Sequence, residues 1–308
     1  MSTKQTSQDA PTDHSLRRAP SRLAGLACLT LTRKPRLPYA VCLLTLLAAL
    51  ASARAATEVS GDIFGQTWTK TNSPYVVVGD IRVASLTIEP GVQVTFSGPY
   101  VFGVAGTLQA IGKADDPIAF DRDTGLWPGS WAGIYFNDSY LDCELAYCSV
   151  SNSAKSGIRV VDCAPLIRDC TIGHNSSTEG GGGIRILNGT PVIRGCMITQ
   201  NTAPEGGGMW ADVAAGDLVL RDCVMADNAS DRDGGGMWMR GSLRMADCRL
   251  ARNTANPGSA QQHTYGGGLY LSGTAILERC ILSTPCHKYD DVFSCIIRSL
   301  CVTSRSLT

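Results

Sequence analysis

Pro191-Val192-Ile193-Arg194-Gly195-Cys196-Met197-Ile198-Thr199-Gln200-Asn201 is followed by Gly206-Gly207-Gly208-Met209-Trp210-Ala211. The same phrase returns along the chain. Ile167, Cys170, Ile172 and Asn175 stand at matching offsets, as do Leu220, Cys223, Met225 and Asn228, then Met245, Cys248, Leu250 and Asn253. Each is followed by glycine and an apolar residue: Gly183-Ile184, Gly236-Met237, Gly268-Leu269. From Cys148 to Cys280 the phrase cysteines are 22, 26, 27, 25 and 32 residues apart. A repeat of that length marks coils that stack on one another, each contacting only its neighbours, rather than a core closed on itself.

Within one phrase the apolar residues fall at −5, −3, 0 and +2 relative to the cysteine, for example Pro165, Ile167, Cys170 and Ile172. Two alternating pairs displaced by one residue describe two short strands with a bend between them. The bend is polar (Arg168-Asp169, Arg194-Gly195, Arg221-Asp222, Ala246-Asp247), and its charges are expected in water, pairing between coils. A third alternating segment follows the glycines, with Ile184 and Ile186, Met209 and Ala211, Met237 and Met239, Leu269 and Leu271 inward. Gly133-Ile134-Tyr135-Phe136 and Gly157-Ile158-Arg159-Val160 fit the same template. The fold class is therefore all-β, a parallel β-helix with three short strands per rung. The glycines permit positive φ and close approach at the tight corner. The spacing Ile193-x-x-Cys196-x-Ile198-x-x-Asn201 also fits a leucine-rich repeat. That fold needs helical or 3₁₀ structure where this chain carries Gly206-Gly207-Gly208, and three glycines cost ~3 kcal/mol of helix propensity.

Two columns follow from stacking. Cys170, Cys196, Cys223 and Cys248 should lie above one another as small buried thiols, with side chains pointing the same way and so poorly placed for bridging. One in-line column offers no tetrahedral metal site. Asn175, Asn201, Asn228 and Asn253 should form a second ladder, each amide bonding its counterpart one coil away, with the asparagine itself in a left-handed turn.

The pairing of glycine runs with apolar-x-x-Asn resembles the repeats of the right-handed parallel β-helix superfamily. It is most similar to the polymorphic outer-membrane protein and autotransporter-passenger type, on Gly207-Gly208-Met209, Gly235-Gly236-Met237, Ile198-x-x-Asn201 and Met225-x-x-Asn228. Here Ile, Met or Leu stands where that type carries Phe. The resemblance covers roughly residues 131–282. It implies an exported surface module and speaks to fold far more than to activity.

Outside the repeats, residues 1–37 read as a disordered or mis-assigned extension and 38–56 as a signal peptide. The latter has a basic lead at Arg33-Lys34-Pro35-Arg36, an apolar run from Tyr39 to Leu50 and small residues at Ala51, Ala53 and Ala55. The expected location is secreted or cell-surface, with no integral membrane span in the mature chain. Residues 57–130 read as a β cap with the first irregular rungs, 131–282 as the repeats, and 283–308 as a non-repeat tail, truncated or out of frame. In that tail Cys286, His287, Cys295 and Cys301 follow no metal-site spacing. The zero net charge hides a split. The first 54 residues carry 8 basic and 2 acidic side chains, and the rest carries 19 basic against 25 acidic, which argues against nucleic acid as a partner. No cofactor motif is present.

Chemistry concentrates on the outward positions of the third strand: Tyr135, Arg159, Arg185, Trp210, Trp238 and Tyr270 in successive rungs. Stacked at ~4.8 Å per rung they make a stripe ~24 Å long. Flat rings pack on sugar faces and arginine forks onto carboxylates or sulfates, so the stripe reads as a binding surface for polysaccharide or cell-surface glycan, an acidic one in its sharpest form. Asn256 to Tyr265 lengthens one rung beside Tyr270 and carries His263, a candidate base. Asp212, Arg240, Asp231, Arg232 and Asp233 are scattered charges rather than a catalytic set. The reading is a glycan-binding surface or matrix module. Two other classes remain open: a lyase, hydrolase or epimerase acting on an acidic glycan, and a purely structural fragment of a larger surface protein.

Overall fold

The computed structural model describes residues 56–123, 125, 129–137, 142–255, 266–283 and 297–298. The extension and signal segment, the insertion with His263, and the tail cysteines with His287 lie outside the described residues. Nearly every described strand pairs in parallel with its counterpart one coil away. Ile167 lies beside Ile193, then Leu220, Met245 and Leu277. Ile172, Ile198, Met225, Leu250 and Leu282 form the second column. Ile184, Met209, Met237 and Leu269 form the third. These columns are buried up to the last coil, where Leu277 and Leu282 are only partly covered. Each fully buried aliphatic side chain contributes about 1.5–3 kcal/mol, and the columns join into one continuous apolar cluster.

The one-residue displacement between the first two strands has a specific backbone cause. Asp169, Gly195, Asp222, Asp247 and Arg279, each immediately before a column cysteine, hold φ of 53°, 61°, 53°, 54° and 51°. A single left-handed residue turns the chain and lets alternation restart with the apolar side still inward. The asparagine expectation needs correction on the same ground. The left-handed residue of the next turn is the one before each asparagine: His174, Gln200, Asp227 and Arg252, with φ of 58°, 57°, 58° and 53°. It projects outward, and the asparagine that follows is thereby aimed into the core.

The rung differs from the three-strand template in two ways. Thr202–Ala203, Ala229–Ser230 and Thr254–Ala255 form a small parallel sheet of their own between the asparagine turn and the glycine run. In the later coils the third strand also runs unbroken into the first strand of the next coil, as Met209–Arg221, Met237–Ala246 and Leu269–Glu278. Gly216, Gly241 and Gly273 carry those corners with φ of 84°, 115° and 153°. One coil earlier, Ile184–Leu187 and Val192–Arg194 are separate strands, and Pro191 between them has no N–H to extend a ladder.

Residues before the repeats join the same sheet. Thr57–Ile63, Gln66–Trp68, Tyr75–Ile88, Gln93–Phe96, Phe102–Ile111 and Ile118–Arg122 stack in parallel beneath it. Their core is filled by rings: Trp68 stacks on Tyr75 at 4.6 Å between centroids and Phe96 on Trp131 at 4.0 Å. At the other end Ile297–Arg298 pairs with Leu271–Ser272, so parallel pairing recurs beyond the last repeat phrase.

Candidate functional site

Two of the ladders are scaffolding. Asn201 Nδ2 donates to Asn228 Oδ1 (3.0 Å) and to Ile172 O on the previous coil (2.9 Å). Asn228 Oδ1 also accepts the Asn201 backbone N–H at 3.0 Å. The same set links Asn175 to Asn201 and Asn228 to Asn253. All four amides are buried. The glycine run belongs to this ladder: a Cβ on Gly208 would lie 2.9 Å from Asn228 Nδ2 and 2.5 Å from Gly236 O. Gly206, at φ +59°, starts the corner that brings the chain there. The two halves of the repeat phrase are thus the two sides of one contact.

The column cysteines are free thiols. Cys170 Sγ donates to Arg168 O at 3.2 Å and Cys223 Sγ to Arg221 O at 3.1 Å. The left-handed residue between the two strands turns that carbonyl toward the thiol, which explains a cysteine here rather than alanine. Each thiol also lies against the one before it. That neighbour, followed by burial, pushes Cys196 and Cys223 up to about 12 and Cys248 to about 11, so these thiols are unreactive at neutral pH.

The outward stripe is assembled in register. Tyr135, Arg159, Arg185, Trp210, Trp238 and Tyr270 are successive partners on neighbouring third strands. All six are half-buried. The Arg159 guanidinium lies 4.3 Å from the Tyr135 ring centroid and that of Arg185 4.4 Å from Trp210. Trp210 stacks on Trp238 at 5.1 Å and Trp238 on Tyr270 at 5.8 Å. The members therefore cover one another's faces and present their edges to solvent. The loop before the strand supports them: a Cβ on Gly180 would meet Trp210 at 3.1 Å, and Glu179 pairs with Arg185 at 3.4 Å.

Some charges at the bend and at the asparagine turn pair between coils. Arg168 meets Glu144 at 2.6 Å, Arg252 meets Asp227 at 2.6 Å and Arg279 meets Asp247 at 2.6 Å. Their arginines hold the Asp227 and Asp247 carboxyls below the usual carboxylate range. Asp212, which the sequence shows as a scattered charge, is buried and hydrogen-bonded by Arg240 one coil on.

Sequence reading did not find a groove of about 770 Å³ at the corner between third and first strands. Gln109, Asp142, Glu144, Asp162, Asn188 and Thr190 line it. Asp142 and Asp162 sit at different offsets from their column cysteines, so no column in the text joins them. A smaller cleft beside the stripe is lined by Lys155, Ser156, Arg159, Ser177, Thr178, Glu179 and Arg185. Here a signal existed: Lys155 and Ser177 share the offset +7 from Cys148 and Cys170. Among the described residues no group of three or more His, Cys, Asp or Glu is placed to hold a metal ion, and no helix is long and apolar enough to cross a membrane.

A family model described as a right handed beta helix region matches residues 132–294. The match is to that class as a whole. No curated protein and no solved structure matches the chain.

Proposed function

We propose, for a chain that belongs to the right-handed β-helix family, that it is an exported interaction module holding a glycan chain along the third-strand stripe. The observation that carries this reading is the unbroken row from Tyr135 to Tyr270. It combines aromatic edges and guanidinium N–H groups in a straight line whose step is set by the strand spacing of ~4.8 Å, close to the length of one sugar unit. Aromatic C–H edges and indole N–H groups pack along the side of a sugar chain, and the arginines add directional donors. Replacing Trp210 and Trp238 together with alanine is expected to lower retention on immobilised glycan by at least about tenfold, which corresponds to ~1.4 kcal/mol. Unchanged retention across a glycan array would remove the stripe from any binding role.

A structural role for the row is the second reading, favoured by the mutual stacking itself. In that case the double variant loses melting temperature and no ligand affinity changes. A glycan-cleaving enzyme is the third. It draws support from the three carboxylates of the corner groove, although Glu144 there is tied to Arg168 at 2.6 Å. It predicts new reducing ends or unsaturated uronate from a polysaccharide panel, abolished in Asp162→Asn.

A further inference from the structure

We propose that the small cleft at the arginine end of the stripe is an oxyanion subsite, which takes a carboxylate or sulfate of the bound glycan; this rests on the stripe reading above. Its polar lining is nearly all donors. Lys155 is exposed on its rim, and Arg159 and Arg185 sit side by side on adjacent strands at its base. Arg159 and Lys155 have no acidic partner among the described residues, and Arg185 has only Glu179, whose side chain is 64% exposed. Like charges directly opposite on neighbouring strands are destabilising. The two guanidiniums tolerate each other because Tyr135 and Trp210 hold them from the outer sides. An anion bridging their N–H edges removes the remaining repulsion, and Glu179 is exposed enough to swing aside for it.

The hydroxyls complete the lining. Ser177 Oγ accepts the N–H groups of Glu179 (3.2 Å) and Gly180 (3.3 Å), which leaves its own O–H to donate into the cleft beside Thr178. The space, about 20 Å³, admits a group of roughly one or two water volumes and not a sugar ring. The ring must therefore lie outside, on the stripe, with its charged substituent turned in. Arg159 and Arg185 each present an edge suited to a planar carboxylate or a tetrahedral sulfate.

The test uses matched polymers with the full chain: polygalacturonate against its methyl ester, and dextran sulfate against dextran, by affinity electrophoresis or calorimetry. The charged member of at least one pair should bind about fivefold or more tightly than its neutral twin. Lys155→Gln should remove that difference while leaving neutral-glycan binding intact, and Arg159→Gln should remove it together with part of the neutral-glycan binding, because Arg159 also belongs to the stripe. Arg249→Gln, on the second strand and far from the cleft, should change nothing. Which pair responds tells carboxylate from sulfate. Equal binding of charged and neutral twins, or a charge preference that survives both cleft variants, overturns the subsite and leaves the stripe standing. If no polymer binds, the stripe reading falls. The cleft is then judged by sodium sulfate and sodium galacturonate titrated against the Arg159 Nε–H resonance: a saturable shift absent in Lys155→Gln supports the subsite, and no shift overturns it.

Discussion

Asn228 shows how one residue type becomes obligatory. Its Oδ1 accepts two hydrogen bonds from Asn201, and its Nδ2 donates to Asn253 Oδ1 and to Ile198 O, all in a buried position. No other side chain of that size offers both a two-fold acceptor and a two-fold donor. Asn228→Ala removes four buried hydrogen bonds and leaves the Asn201 backbone N–H without a partner, at about 0.5–1.5 kcal/mol per bond, so a loss of about 3 kcal/mol or more is expected in urea unfolding. A loss below about 1 kcal/mol would mean that the ladder is dispensable. The ladder starts imperfectly: Ser153 takes the asparagine position one coil earlier, and its hydroxyl is buried without a hydrogen bond while its N–H bonds Asn175 Oδ1 at 3.0 Å.

At the scale of the element, a strand of three or four residues has almost no stability of its own. What holds Ile184–Leu187 is the matching strand on either side, Ile158–Val161 and Met209–Asp212, and their approach depends on glycine at the corner. Gly208→Ala places a methyl 2.5 Å from Gly236 O and 2.9 Å from Asn228 Nδ2, both fixed atoms. The expected outcome is a loss of about 2 kcal/mol or more and a lower thermal midpoint, against near-neutral behaviour for an exposed change such as Thr202→Ala. The third-strand stripe is the outer counterpart of this arrangement: register that aligns the core also aligns Trp210 with Trp238. Such a stacked pair adds about 0.5–1.5 kcal/mol. For that reason stability and ligand affinity have to be measured on the same variants.

Across the whole molecule, the column of thiols couples stability to pH in one direction. Cys196 and Cys223 stand near 12 in the fold, raised by the thiol below and then by burial, from an ordinary value of 9.0. Below pH 9 the folded and unfolded chains both keep these protons, and the stability is full. Between about 9 and 12 the unfolded chain loses them and the folded one does not, so stability falls by about 1.4 kcal/mol per pH unit for each such thiol. Urea midpoints should therefore decline from about pH 9 upward, and Cys196→Ala should flatten that decline while lowering stability at pH 7. A midpoint independent of pH between 8 and 11 would contradict the buried column. In the acid direction, Asp227 and Asp247 keep their ion pairs with Arg252 and Arg279 until the pH falls through their depressed folded values. These pairs are solvent-screened, so the acid limb should be shallow.

The sequence by itself determined the coil: period, apolar alternation and the places of cysteine, asparagine and glycine suffice, because a solenoid's contacts repeat at a fixed offset and a column can be read from the text. Cys170 above Cys148, Trp238 above Trp210 and the inward Met209 are all of this kind. Only the tertiary structure decided what depends on direction rather than offset. It moved the left-handed turn from Asn201 to Gln200, since one backbone angle sets which neighbouring side chain enters the core. It turned the stripe's rings face to face, because ~4.8 Å between strands leaves no room for anything else between two planes. It also gathered Lys155, Arg159 and Arg185 around one small cleft, and Asp142 with Asp162 along one groove. The loops and corners that carry these residues differ in length from coil to coil, and unequal lengths break the columns through which the rest of the chain is legible.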